Sequence, residues 1–427
     1  MHLALVVPHI FFQQDLMPNV IFSPGELALS LAQGLAKKGH QVTVFSPGPI
    51  AKLLPPGALS TSTTISLSTS ASINLPFSSN ISNIASDLSL FKKELAARGD
   101  SFLELLKKHP LTFITLARQV QTELIARAIS LANQGEFDLV HIWCNEEEQG
   151  LVMQQFCQKP VVFNHHEPFN FLNRYRAIFP KYPQLNWISF SLAQRQTFGL
   201  PESQVNWVGN VYHGLSQSAH TPSYKPGEYL LYAGRIIRPK GVHYAIAAVK
   251  RAGLKLKIAG KHYAGHNKDK YWQEFIQPEI DGAQIEYLGF VKSKAQKQAL
   301  FSKAQALLIP STWQEPFGLV MVEALACATP VIGFNQGAIP EVVESGTSGF
   351  VADYQVEDKH EKQGRLVEKK WTDLQKDKNF TENLENLVEK IGLLEQLDRR
   401  ACRQRFEQQF TLEKMVEGYE GVYGGLL

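Results

Sequence analysis

The sequence predicts an α/β protein made of two doubly wound, parallel-sheet domains, and three observations predict it. Short apolar runs closed by Gly or Pro recur along the chain, residues 3–7 and 306–309 among them, and each is followed by a stretch with helical spacing. The 427 residues exceed what a single hydrophobic core usually organises, so two domains of roughly 200 residues each are the default. Hydrophobic residues make up 44% and charged residues 19%, the balance of a packed globular chain rather than a disordered or membrane-embedded one.

Charge and cysteine usage exclude several function classes. With 43 Lys plus Arg against 40 Asp plus Glu, the net charge of +3 gives no electrostatic footprint for nucleic acid. Cys144, Cys157, Cys327 and Cys402 are scattered without metal-ligand spacing, which argues against structural zinc and a disulfide framework and for a reducing cytoplasm. The N-terminal apolar run lacks a basic leader and a small-residue cleavage site, and no later window offers ~20 apolar residues, so the expectation is peripheral membrane contact at most.

Residues 3–7 read as the first strand, 25–38 as a helix with Leu27, Leu31 and Leu35 on one face, and 41–45 as the second strand. This strand-helix-strand unit places Gly25 in the loop beyond the first strand, where ligands of open sheets collect. Residues 59–83, rich in Ser and Thr with Pro76 as the only breaker, read as a semi-ordered excursion. Helical spacing governs 91–132, broken near Pro110. Residues 137–143 and 160–166 are buried-strand candidates, the second running into Asn164-His165-His166-Glu167-Pro168. A histidine at a strand end most often pairs with a backbone group, so His166 and its reserve His165 count as functional only in context. Strands at 187–190 and 205–208 close a first domain of residues 1–215, and the two prolines and small polar residues of 216–227 form the hinge.

The second domain, 216–408, opens with a strand at 229–233, then Gly234-Arg235-Ile236-Ile237-Arg238-Pro239-Lys240-Gly241 and a helix carrying Val242, Ile246 and Val249. Arg235 and Lys240 flank that loop as a planar fork and a mobile point charge suited to a diphosphate, whereas Arg238 reads as an ordinary solvated cation. Strands at 254–258 and 285–291 and a helix at 293–304 lead to a strand at 306–309, a loop, and a helix at 318–327. Gly318 lets an anion approach the unpaired N–H groups and positive dipole end of that helix, and Glu315 and Glu323 can border one pocket beside it. Residues 357–379, dense in mixed charge, read as a solvated insertion. Helices near 384–409 and 412–423 follow, with 409–427 set apart as a terminal element.

The run Glu315-Pro316-Phe317-Gly318-Leu319-Val320-Met321-Val322-Glu323, followed by Thr329-Pro330-Val331-Ile332, resembles the signature of the retaining family 4 glycosyltransferases (glycosyl transferases group 1), whose fold is GT-B. The resemblance extends to Gly337-Ala338-Ile339-Pro340-Glu341, with Cys327-Ala328 in place of the family's frequent Cys-Gly, a conservative change on sequence alone. It implies two Rossmann-like domains facing across a cleft, with a terminal helix, 409–427, crossing back onto the first. It implies transfer of a hexose from a nucleoside-diphosphate sugar, UDP-hexose before GDP-mannose, to a hydroxyl of an acceptor. Carried onto this chain, Glu315 and His166 are catalytic, and Arg235, Lys240, Gly318, Leu319 and Gly25 hold the diphosphate. Glu323, Val291 and Phe290 hold the nucleoside; Glu315, Phe317, Gly318 and His166 hold the sugar. The implied reaction retains configuration, with the departing diphosphate deprotonating the acceptor. No Asp-x-Asp occurs, so no metal and no cofactor are expected. Competing expectations are a nucleotide-sugar-binding subunit without turnover, a GT-B epimerase, and a dinucleotide oxidoreductase, which lacks its Gly-x-Gly-x-x-Gly turn.

Overall fold

Runs of Val, Ile, Leu and Phe without polar alternation suit parallel strands covered on both faces. In the computed structural model, which describes residues 1–12, 23–54, 80–143, 148–225, 227–262, 269–356, 361–362, 365–366 and 371–427, the chain forms two compact units. The first comprises Met1–Phe190, Gln194–Tyr212 and Leu412–Leu427; the second comprises Ser191–Ala193 and His213–Thr411.

Among the described residues the first unit holds a seven-stranded sheet in the order β3-β2-β1-β4-β5-β6-β7. Its strands are β1 His2–Val6, β2 Gln41–Ser46, β3 Ile81–Ala85, β4 Leu139–Trp143, β5 Val161–Asn164, β6 Asn186–Ser189 and β7 Trp207–Asn210, all paired in parallel. Strand order reverses between β1 and β4, which makes the carboxyl ends of those two strands the sheet's switch point.

β3 is a correction. It emerges from the end of the Ser/Thr-rich stretch, whose residues 55–79 lie outside the described ones. Composition hid it because its polar alternates are used in pairing: Ser82 shares a 2.7 Å hydroxyl contact with Thr43, and Asn83 donates to the Val44 carbonyl at 2.8 Å. Helices also divide differently from the expectation. Gly99 in the left-handed region (φ 64°) ends helix Ser89–Arg98, and a Ser101–Glu104 capping box starts Phe102–Lys108. The expected break near Pro110 is present: Phe102–Lys108 stops at His109, and Pro110 opens the long helix Pro110–Asn133, where a first-turn proline forfeits no hydrogen bond.

Helix Leu412–Gly424 completes the first unit. It approaches closely because glycines face its valines: a Cβ on Gly34 would fall 2.2 Å from Val416 Cγ2, and one on Gly209 2.4 Å from Val422 Cγ2. Beneath it lies a buried polar chain. Asn164 donates its amide to the Ile188 carbonyl at 2.6 Å, so its Oδ1 is the acceptor that meets Tyr419 Oη at 3.1 Å and His141 Nε2 at 2.7 Å. His141 therefore carries its proton on Nε2, and Tyr423 donates to its Nδ1 at 2.7 Å.

The second unit holds a six-stranded parallel sheet in the order β10-β9-β8-β11-β12-β13. Its strands are β8 Tyr229–Ala233, β9 Leu256–Ala259, β10 Ile285–Gly289, β11 Ala304–Ile309, β12 Val331–Phe334 and β13 Gly349–Ala352. The order again reverses once, between β8 and β11. The expected helix at 384–409 is two helices, Lys378–Gly392 and Arg399–Gln409, each started by an aspartate cap, Asp377 and Asp398. Much of the charged insertion, residues 357–360, 363–364 and 367–370, lies outside the described residues.

Candidate active site

Both loops that leave the second switch point carry residues marked by the sequence, and they are fastened to each other. Gly241 (φ 68°) lies where a Cβ would be 1.8 Å from the Pro310 carbonyl oxygen, and Thr312 N–H donates to the Pro239 carbonyl at 2.8 Å. A third loop, after β12, clamps the same place. The Ala338 amide donates to the Glu315 carbonyl at 2.8 Å, and Gly337 packs so closely that a Cβ would stand 2.2 Å from that oxygen.

Glu315 is buried, with 6% of its surface exposed. One carboxylate oxygen, Oε2, takes the Lys240 ammonium at 2.5 Å, the Trp313 indole N–H at 3.1 Å and the Ser311 hydroxyl at 3.2 Å. Burial alone would raise this carboxyl, but the Lys240 charge and the three donors outweigh it and hold the group below the usual glutamate range. Lys240 also stands over the Trp313 ring, 4.7 Å from its centroid. Ser311 and Trp313 escaped the sequence reading; the only available signal was their nearness to Glu315 in the chain.

Arg235, on the same loop as Lys240, is exposed, and its guanidinium has neither an ion pair nor a hydrogen bond among the described residues. Arg238 is not merely solvated: it is half-buried with its guanidinium 4.9 Å from the Phe275 centroid. Gly318 (φ 82°) caps helix Leu319–Ala326, whose first amides have no partner within the helix. At the other end Arg403 donates to the Ala326 carbonyl at 2.5 Å, which matches the negative end of the dipole and leaves the positive end for a ligand. Glu323, one turn inside, gives one oxygen to Lys297 at 2.6 Å, while the other, Oε2, is buried without a partner. Lys297 has no sequence signature. The Phe317 side chain turns inward, edge-on to His213 at 4.8 Å, so what residue 317 can offer a ligand is its backbone. Among the described residues no group of three or more His, Cys, Asp or Glu is arranged to hold a metal ion.

Residues 216–387, which contain Arg235, Lys240, Glu315, Gly318 and Glu323, match the family described as glycosyl transferases group 1. That stretch of the second unit is similar to the family. The glycogen synthase of Mycobacterium tuberculosis is 36% identical to this chain over 137 residues, 31% of each chain. Sucrose-phosphate synthase from Thermosynechococcus elongatus matches its structure with a TM-score of 0.65 at 15% identity, covering 100% of this chain and 99% of the other. Anabaena HepE in complex with UDP-glucose does so with a TM-score of 0.62 at 15% identity and 100% coverage of both. These structural likenesses establish the GT-B fold. The curated relatives are matched over 30% to 48% of their own length.

The remaining marked residues of the chain fall elsewhere. Phe290 and Val291 follow β10, which ends at Gly289 (φ 67°) rather than continuing to 291, and both are half-buried. In the first unit His166 follows β5 and stacks on Phe190, with ring centroids 5.4 Å apart, while His165 is fully buried among Phe169, Tyr175 and Phe179. Gly25 is the third residue of helix Ser23–Lys37. Trp143 joins the two positions: its indole N–H donates to the Pro24 carbonyl at 2.8 Å, and its ring centroid lies 4.4 Å from that of His166.

Proposed function

We propose that the chain transfers a hexosyl group from a nucleoside-diphosphate hexose, UDP-hexose in preference to GDP-mannose, to an acceptor hydroxyl with retention of configuration and without a metal ion. The observation that carries this is the convergence, at one switch point, of an uncommitted guanidinium, a buried ammonium-carboxylate pair and an open helix start. Arg235 and the Leu319 amide supply fixed donors to the diphosphate, and Lys240 bridges it to Glu315. Charge accumulates on the leaving phosphate as the glycosidic bond breaks, and donors fixed beforehand stabilise it better than reorganising water.

Glu315 remains ionised at neutral pH, so it only accepts hydrogen bonds; its Oε1, without a partner among the described residues, suits a donor-sugar hydroxyl. The unpartnered Glu323 Oε2 suits a ribose hydroxyl. Phe290 and Val291 hold the base through their backbone. His166 and Gly25 serve the sugar and the diphosphate. The departing diphosphate takes the acceptor proton, and the acceptor oxygen bonds to the anomeric carbon on the face the diphosphate leaves. The UDP-glucose complex of the Anabaena protein favours a uridine donor. Cys157, Cys327 and Cys402 carry free thiols, in keeping with a cytoplasmic setting.

A thermal-shift panel of UDP, GDP and ADP sugars tests the donor; a ligand at 100 times its Kd stabilises by about 2.7 kcal/mol. Proton NMR of the product reads the anomeric configuration. Transfer that disappears with a chelator and returns with manganese would overturn the metal-free step, and donor binding without transfer to any acceptor would make the chain a binding subunit.

A further inference from the structure

The first unit contains a cavity of about 190 Å³ that none of the donor-site residues lines. His9, Ile10 and Phe11, just beyond β1, form one wall, so the cavity opens at the carboxyl end of a switch-point strand. The turn is fixed by Phe11 N–H donating to His9 Nδ1 at 3.1 Å and Phe12 N–H donating to the His9 carbonyl at 2.9 Å. The long helix Pro110–Asn133 forms the opposite wall through Phe113 and Ala117, one turn apart, with Ile114 and Arg118 on the adjoining stripe.

Two guanidiniums reach this space, whose walls mix apolar rings with His9 and the buried Gln121, and they differ. Arg174 is engaged by Glu148 at 3.2 Å and by the Tyr175 hydroxyl at 2.8 Å. Arg118 is exposed, and its guanidinium has no ion pair or hydrogen bond among the described residues. A cavity of about 150 Å³ lined by Leu, Ile and Phe holds a benzene ring, so this one has room for a single ring or a short branched chain. An uncommitted cation beside such a space complements an anion attached to an apolar body.

We propose that this cavity receives the acceptor, and that the acceptor is an amphipathic acid: a hydroxyl-bearing molecule whose ring-sized apolar part enters between Phe11 and Phe113 while its carboxylate or phosphate meets Arg118. This rests on the glycosyl-transfer reading for the word acceptor, but the cavity and its preference for an acid stand independently of it.

The test uses the full chain and three probes, 4-hydroxybenzoate, phenyl phosphate and the neutral methyl 4-hydroxybenzoate, with binding followed by ligand-detected NMR. At least one acid should bind more tightly than the ester, and the better of the two tells a carboxylate from a phosphate. Arg118→Gln should weaken that acid about tenfold and leave the ester unchanged. Ala117→Leu, which fills the cavity, should weaken acid and ester alike. Amide hydrogen exchange of the first sheet, measured on the same samples, should be the same in all three proteins and shows that the variants are folded there. Equal binding of acid and ester, or acid binding indifferent to both substitutions, overturns the proposal. Acid binding that follows these rules in a chain that binds no nucleotide sugar leaves the cavity assignment standing and removes the glycosyl-transfer reading. With a donor in hand, transfer to 4-hydroxybenzoate that falls about tenfold in Arg118→Gln completes the case; equal transfer by the two proteins overturns it.

Discussion

Glu315 and Lys240 form a largely buried ion pair of the second domain, and each depends on the other. Removing Lys240 leaves a carboxylate buried with only a hydroxyl and an indole N–H, so Lys240→Met should lower stability by about 3 kcal/mol. Adding Glu315→Gln should recover more than half of that loss in chemical denaturation; a double variant as unstable as the sum of the two singles would show that the residues do not act as a pair. Transfer in either variant should fall about 100-fold. A second residue-scale prediction concerns acid. Burial pushes His141, His213 and His243 each down to about 3, from an ordinary 6.5. The folded protein keeps them neutral while the unfolded chain protonates them, so their contribution is intact above pH 6.5 and is lost progressively as pH falls from 6.5 toward 3. Between pH 7 and pH 5 each should cost about 2 kcal/mol, visible as a falling denaturation midpoint. Replacing His141 with Gln should flatten that slope by about a third.

At the scale of elements, the turn between helix Leu319–Ala326 and β12 holds a strain that the sequence alone presents as conservative. Ala328 sits at φ 62°, in the left-handed region that glycine enters freely and alanine enters at a cost. Ala328→Gly should therefore stabilise the protein by about 0.5–1 kcal/mol, after allowance for the greater freedom of glycine in the unfolded chain. A calorimetric scan in which Ala328→Gly melts lower would contradict the assignment. This turn also shows where legibility ends. Strands β8 and β11 and the helix after Gly318 were readable because apolar runs, Gly and Pro act locally. The contact of Lys240 with Glu315 spans 75 residues and depends on two loops fastened through Thr312 and Pro239, which no local pattern encodes. The same holds for Lys297 on Glu323. The inward turn of Phe317 and the strand hidden at Ile81–Ala85 were missed because packing and cross-strand pairing override composition.

At the scale of the whole molecule, the chain leaves the first unit at Tyr212 and rejoins it at Leu412. Helix Leu412–Gly424 buries Met415, Val416, Tyr419 and Tyr423, far more apolar surface than a short helix could leave in water. Cutting the chain after Thr411 should therefore destabilise the first unit selectively. The first sheet would exchange its amide hydrogens faster, and the second unit would keep its protection and its binding of UDP sugar. Equal loss of protection in both units would mean that the two do not fold as separate bodies.

The pairing of His141 with Tyr423 also sets a timetable. A ribosome must deliver 282 further residues after the histidine before its hydroxyl partner exists. The half of the protein that is translated first is thus the half that matures last, and it spends the synthesis of the entire second unit with an unfilled seam between Gly34 and Gly209. Chaperones that survey nascent chains would meet that seam, and slowing translation downstream of residue 212 should lengthen their stay.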